Sequence, residues 1–175
     1  MRTTFAVAVA VAALLASIPV LASAAPAATA TLRDAQGQAV GTATLTPVEG
    51  GVKVAVNVSG VAPGLHGFHV HAVGKCEGPD FKSAGGHFNP ASKEHGLDNP
   101  KGAHAGDMPN LSVGPDGTGK GEFLARGAVL DAGPGSLFPD GGTAVVLHAA
   151  PDDMKSDPAG NAGARIACGV VERKP

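Results

Sequence analysis

Five of the chain's seven histidines, His69, His71, His87, His95 and His104, fall in one stretch that closes on a carboxylate, Asp107. The stretch runs through glycine and proline rather than helix formers, as in Gly85-Gly86-His87-Phe88-Asn89-Pro90. Neutral imidazole offers a nitrogen lone pair near physiological pH and is the commonest metal ligand among side chains. A cluster this dense reads first as a metal site and only second as scattered surface or core histidines. The rest of the chain reads as built around it.

Outside that stretch the pattern is short alternating runs set apart by turn residues, and no long segment carries a 3.6-residue apolar repeat. Residues 28–33, 40–46, 52–58, 65–72, 111–113, 121–126, 143–149 and 164–171 read as strands, the cleanest being Val52-Lys53-Val54-Ala55-Val56-Asn57-Val58. Residues 74–110 and 151–163 show neither strand nor helix. Loops that long in a compact domain are functional or disordered, and bound metal supplies ordering energy that composition alone does not. The expected class is all-β, an eight-stranded antiparallel Greek-key barrel or immunoglobulin-like sandwich with two long functional loops.

The N-terminus reads as an address. Met1-Arg2 precedes an alanine-rich apolar run, and Ala22-Ser23-Ala24 fits the small-residue cleavage pattern, so residues 1–24 are expected to be a signal peptide and residues 25–175 the mature domain. No basic stop-transfer flank follows, and alanine makes the run weakly hydrophobic for a spanning helix, so no membrane insertion of the mature chain is expected. Export makes the two cysteines interpretable: Cys76 and Cys168, in an oxidising compartment, most simply form one bridge. The mature region carries 12 basic and 15 acidic residues, and the whole chain has no Trp or Tyr. Neither a basic face nor an aromatic platform for nucleic acid is present, so no nucleic-acid partner is expected.

In a strand, residues two apart project from one face about 7 Å apart, so His69 and His71 can grip one ion together. Phe68 and Val70 then face the core. His66 falls on the opposite face and reads as structural, its ring nitrogens satisfied by backbone. The remaining donors are His69, His71, His87, His95, His104, His148 and Asp107. Three nitrogens and a carboxylate suit zinc, and a nitrogen-only set suits copper(II). Seven ligands fit one site of three and one of four, or equally two sites of four sharing a bridging histidine, and counting does not choose.

Gly67-Phe68-His69-Val70-His71, Gly86-His87-Phe88-Asn89-Pro90, His104-Ala105-Gly106-Asp107 and the run from Gly160 to Val170 resemble copper/zinc superoxide dismutase, most closely its exported bacterial form. Sandwich architecture and electrostatic steering of substrate are already established for that family. The resemblance implies one copper held by His69, His71, His87 and His148, and one zinc held by His87, His95, His104 and Asp107. His87 is then the bridge. It implies that Asp152 links a copper-binding and a zinc-binding histidine, that Arg165 stands beside the open copper position, and that Cys76 and Cys168 form the intrasubunit disulfide.

The implied activity is disproportionation of superoxide to dioxygen and hydrogen peroxide, an antioxidant role outside the cytoplasm. His87 takes a proton and delivers it to the nascent peroxide, and Arg165 contributes permanent positive charge. The implied location is the periplasm, with a secreted form also open. Bacterial members are not uniform in subunit number, so monomer and homodimer both stay open. Animal members carry a longer, charge-rich loop before the arginine, so the roles of Lys75, Lys82 and Lys155 in attracting the anion do not transfer.

Overall fold

The computed structural model describes residues 28–174. The expected signal peptide and its cleavage site lie outside the described residues. Among those residues no helix is long and apolar enough to cross a membrane.

Alternation builds the scaffold. Val52, Val54, Val56 and Val58 are buried while Lys53 and Asn57 face outward, giving one apolar face to a strand. Ten such elements follow in order: β1 (Ala28–Asp34), β2 (Ala39–Val48), β3 (Gly51–Val58), β4 (Gly64–His66), β5 (Phe68–His71), β6 (Leu111–Val113), β7 (Gly119–Arg126), β8 (Ala144–His148), β9 (Arg165–Val170) and β10 (Glu172–Arg173). They form one antiparallel sheet in the order β4-β6-β7-β3-β2-β1-β9-β8-β5, with β10 on β1. The return of β9 to lie beside β1, with Arg33 opposite Cys168, is a Greek-key connection.

The two ends of this sheet, β4 and β5, are consecutive in sequence. The expected single strand over 65–72 is therefore two strands broken at Gly67, one pairing with β6 and the other with β8. Across the seam the Gly67 N–H donates to Ala150 O at 2.9 Å, and the His148 N–H donates to Gly67 O at 2.8 Å. His66 reaches from β4 toward β8, its Nδ1 2.7 Å from His148 O and its Nε2 2.8 Å from Ala62 O. Its structural reading holds, though through this seam contact rather than through the parity of one continuous strand.

The barrel interior holds Leu32, Leu45, Val54, Phe68, Val70, Leu111, Val145 and Leu147, all fully buried. Phe68 and Phe123 meet there with ring centroids 5.8 Å apart. A second, smaller core lies on the outer face of β8, where Ala144 and Val146 pack with Phe81, Ala84 and Cys168. Because β8 is buried on both faces it reads as an apolar run, whereas β5 alternates Phe68 and Val70 inward with His69 and His71 outward. The histidines therefore stand on the outside of the barrel wall, roofed by loops.

Candidate metal centre

Backbone pairing brings the long loop onto β5. The Val70 N–H donates to Gly106 O at 2.9 Å and the Phe88 N–H to Val70 O at 2.8 Å, so His87 comes opposite His71 and Asp107 opposite His69. Gly106 is needed for this approach, since a Cβ there would collide with the Val70 carbonyl. Asn110 clamps the second loop, its amide nitrogen donating to Asp152 O at 2.9 Å and its amide oxygen accepting the Asp152 N–H at 2.8 Å. A short 3₁₀ turn, Lys82–Ala84, follows Phe81 in the first loop, and the Cys76–Cys168 disulfide ties that loop to β9 across 92 residues.

Two sets of four donors result. One ligand atom from each of His69, His71, His87 and His148 lies within 4.8 Å of the others, and the same holds for His87, His95, His104 and Asp107. His87 belongs to both. Its Nδ1 lies 2.8 Å from Asp107 Oδ1, a carboxylate oxygen that His95 Nδ1 and His104 Nδ1 also approach, at 3.0 and 3.2 Å. In the other set His71 Nε2 and His148 Nε2 are 3.4 Å apart. His87 is the one donor common to both sets of four.

The remaining ring nitrogens are occupied in a way that aims lone pairs into the centre. His69 Nε2–H donates to Asp152 Oδ2 at 2.7 Å, His95 Nε2–H to Asp152 Oδ1 at 3.0 Å, and His71 Nδ1–H to Gly85 O at 2.9 Å. Fixing the proton on one nitrogen leaves the other as an acceptor of metal. Among the described residues, two buried side-chain atoms have no hydrogen-bond partner, His69 Nδ1 and His87 Nε2. Both belong to the all-histidine set. Burying such atoms unpartnered is costly, and a cation would satisfy both.

Electrostatics separate the two halves. Burial, then the neighbouring His87, pushes His71 down to about 2. Burial, then His69, takes His148 to about 3. His87 falls to about 4, burial outweighing the hydrogen bond with Asp107. Those rings stay neutral far below ordinary pH. Burial would also lower His95, but its bonds to Asp107 and Asp152 win and raise it to about 9. Burial favours protonation of Asp107 and Asp152, yet their histidine partners hold both well below the usual carboxylate range.

The six histidines, Asp107 and Asp152 come together here, with Arg165 against them and Cys76 and Cys168 in the smaller core nearby. Arg165 donates from Nη1 to Phe81 O at 2.7 Å and from Nη2 to Gly85 O at 2.6 Å, the same carbonyl that accepts from His71. Sequence reasoning missed Asn110, the Gly85 carbonyl, and Asp157, whose Oδ1 accepts the His95 N–H at 2.7 Å.

The family model for copper/zinc superoxide dismutase matches residues 39–171. The chain belongs to the copper/zinc superoxide dismutase family. It is 51% identical to superoxide dismutase [Cu-Zn] 1 of Aquifex aeolicus over 78% of this chain and 82% of that protein. It is 40% identical to superoxide dismutase [Cu-Zn] of Caulobacter vibrioides over 83% of this chain and 85% of that protein. Among solved structures, the Cu/Zn superoxide dismutase of Brucella abortus aligns with TM-score 0.66 and 31% identity, covering 82% of this chain and 98% of that one. A superoxide dismutase-like protein of Bacillus subtilis aligns with TM-score 0.78 and 39% identity, covering 81% and 96%. The chain is thus an oxidoreductase of superoxide, converting it to dioxygen and hydrogen peroxide with copper and zinc as its metals.

Proposed function

We propose that copper is held by His69, His71, His87 and His148, and zinc by His87, His95, His104 and Asp107, with His87 bridging them. The observation that carries this is the pair of unpartnered buried atoms, His69 Nδ1 and His87 Nε2, in the all-nitrogen set. Donor chemistry sorts the ions, since four nitrogens suit copper(II) while three nitrogens and a carboxylate suit tetrahedral zinc. Copper held there would supply a one-electron couple, and zinc a fixed charge without redox chemistry.

The protein's own groups do the rest. His87 would take a proton from water at Nε2 only while that atom is not holding a metal, and would pass it to the departing peroxide. Arg165, fixed by two carbonyls, presents a cation that does not titrate in the working range and draws the anion to the centre. Asp152 keeps the proton of His69 and of His95 on Nε2, so each presents Nδ1 to a metal.

Native mass spectrometry of the purified protein tests the assignment. One copper and one zinc per chain are expected, and zinc alone after copper-replete expression sinks it. Export is part of the reading: residues 1–24 are removed as a signal peptide and the mature domain works in the periplasm, where the Cys76–Cys168 bond persists. The same spectrum reads the subunit number and a mature start near Ala25; a periplasmic chain still carrying Met1 contradicts the cleavage.

A further inference from the structure

Next to the all-histidine set the surface dips into a cavity of about 450 Å³ lined by Pro79, Asp80, Lys82, Gly163, Ala164 and Arg165. Besides Arg165 it carries two charges of opposite sign. Lys82 Nζ stands 2.9 Å from Asp80 Oδ2, and the Lys82 N–H donates to Asp80 Oδ1 at 3.2 Å. Both side chains are exposed, at 83% for Lys82 and 56% for Asp80. An exposed pair like this contributes little to stability. Its effect is on the field at the opening. The Asp80 carboxylate also acts on Arg165, opposing the lowering that burial imposes on the guanidinium.

All three charges are joined mechanically. Asp80 and Lys82 flank Phe81, whose carbonyl accepts from Arg165, and Gly85, whose carbonyl accepts the second guanidinium bond, follows directly on the same turn. Phe81 and Ala84 anchor that turn in the smaller core, beside the disulfide. Asp80 is therefore held where it neutralises Lys82 and offsets Arg165, rather than swinging free in solvent.

We infer that Asp80 is a brake on anion capture: paired with Lys82 at the cavity mouth, it removes one unit of positive charge from the path that superoxide takes to Arg165. The inference rests on the guiding role proposed for Arg165. A unit charge about 10 Å from the path in water changes the capture rate by about twofold. At low ionic strength Asp80→Asn raises the second-order rate with superoxide by about that factor, and Lys82→Gln lowers it by a similar one. The double variant returns near wild type, and all three differences shrink as salt is added.

The experiment measures these rates by pulse radiolysis on fully metallated protein, with azide affinity read from the copper absorption as a second readout. Azide is a monoanion, so its binding tightens in Asp80→Asn and weakens in Lys82→Gln. Asp80→Asn at or below the wild-type rate, with full metal content and unchanged azide affinity, overturns the inference. Arg165→Ala is run alongside. If it falls while Asp80→Asn fails to rise, the Asp80 inference alone is lost; if it keeps the wild-type rate, the Arg165 reading is the one that fails.

Discussion

Asp152 is the residue through which the two metal sets share one support, and replacing it with alanine separates what each ligand owes to that support. Its side chain is fully buried, with Oδ2 on His69 and Oδ1 on His95. The variant frees the Met154 N–H that Oδ1 accepts at 2.6 Å, but Asn110 still bonds the main chain of residue 152 on both sides. Each histidine loses one hydrogen bond to a charged acceptor, worth roughly 1.5–3 kcal/mol. At about 1.4 kcal/mol per tenfold, that is roughly a 10- to 100-fold loss of affinity for a metal that depends on the ring, the range seen for such outer partners.

The two rings do not depend on it equally. His69 is fixed by β5, where it pairs with Val146, and its ring packs 4.1 Å from that of His87. His95 sits in irregular chain, its backbone held by the Asp157 carboxylate. Zinc affinity should therefore fall about 10- to 100-fold and copper affinity less than tenfold. Competition titrations against a chelator, run separately for each metal, give both numbers. Zinc affinity within threefold of wild type, or a larger loss for copper than for zinc, refutes the reasoning.

Three further outcomes are expected. Arg165→Ala keeps both metals but lowers the second-order rate with superoxide, Arg165→Lys falls between it and wild type, and raising salt slows wild type proportionally more than Ala; a wild-type rate for Ala at low salt removes the role. Cys168→Ser costs about 4.6 kcal/mol in the chain-entropy account of a bridge spanning 92 residues, measured by denaturant unfolding of metal-stripped protein; a loss under about 1 kcal/mol contradicts it. Metal-stripped protein is most stable near neutral pH. Below about 6.5 the unfolded chain binds protons that folded His71, His87 and His148 refuse until about 2, 4 and 3, so stability falls with acid by up to about 4 kcal/mol per pH unit. Above 6.5 the folded His95 keeps a proton until about 9 that the unfolded chain has released, so stability declines again. Denaturant midpoints across pH 4 to 9 check both limbs, and a midpoint that is flat on the acid side refutes the assignment of three neutral rings.

The clustered donors were legible in the sequence because metal binding demands particular donor atoms, and few residues supply them. His69 and His71 could even be given a common face, since Phe68 and Val70 fill the alternate positions and do enter the core. Less legible was anything set by where the chain travels. Leu65 to Ala72 reads as one strand, yet Gly67 ends one strand and starts another because the chain crosses the barrel seam there. Phe81 adopts a left-handed backbone, φ 53°, with nothing in its side chain to announce it. Asn110 looks like a turn residue after a loop. Its clamp on Asp152 joins residues 42 apart, and that contact exists only once both loops are folded over β5.

The Gly85 carbonyl shows why carbonyls missed by sequence reasoning matter as much as ligands. It accepts from His71 Nδ1 and from Arg165 Nη2, so one oxygen sets the tautomer of a histidine in the all-nitrogen set and the position of Arg165. A carbonyl has two lone pairs and can serve both donors at once. The oxygen stands on a segment bounded by Cys76, bonded to β9, and by His87, paired to β5. Arg165 and Cys168 both lie on β9, so the strand that carries the cation is also the one that the disulfide ties to the cation's acceptor. Displacing this segment would move the Arg165 acceptors, the proton-fixing partner of His71 and His87, the donor common to both sets, together. The disulfide in this family member thus serves the donor cluster as well as the stability of the barrel, because it fixes the one segment that holds Arg165, His71 and His87 in register.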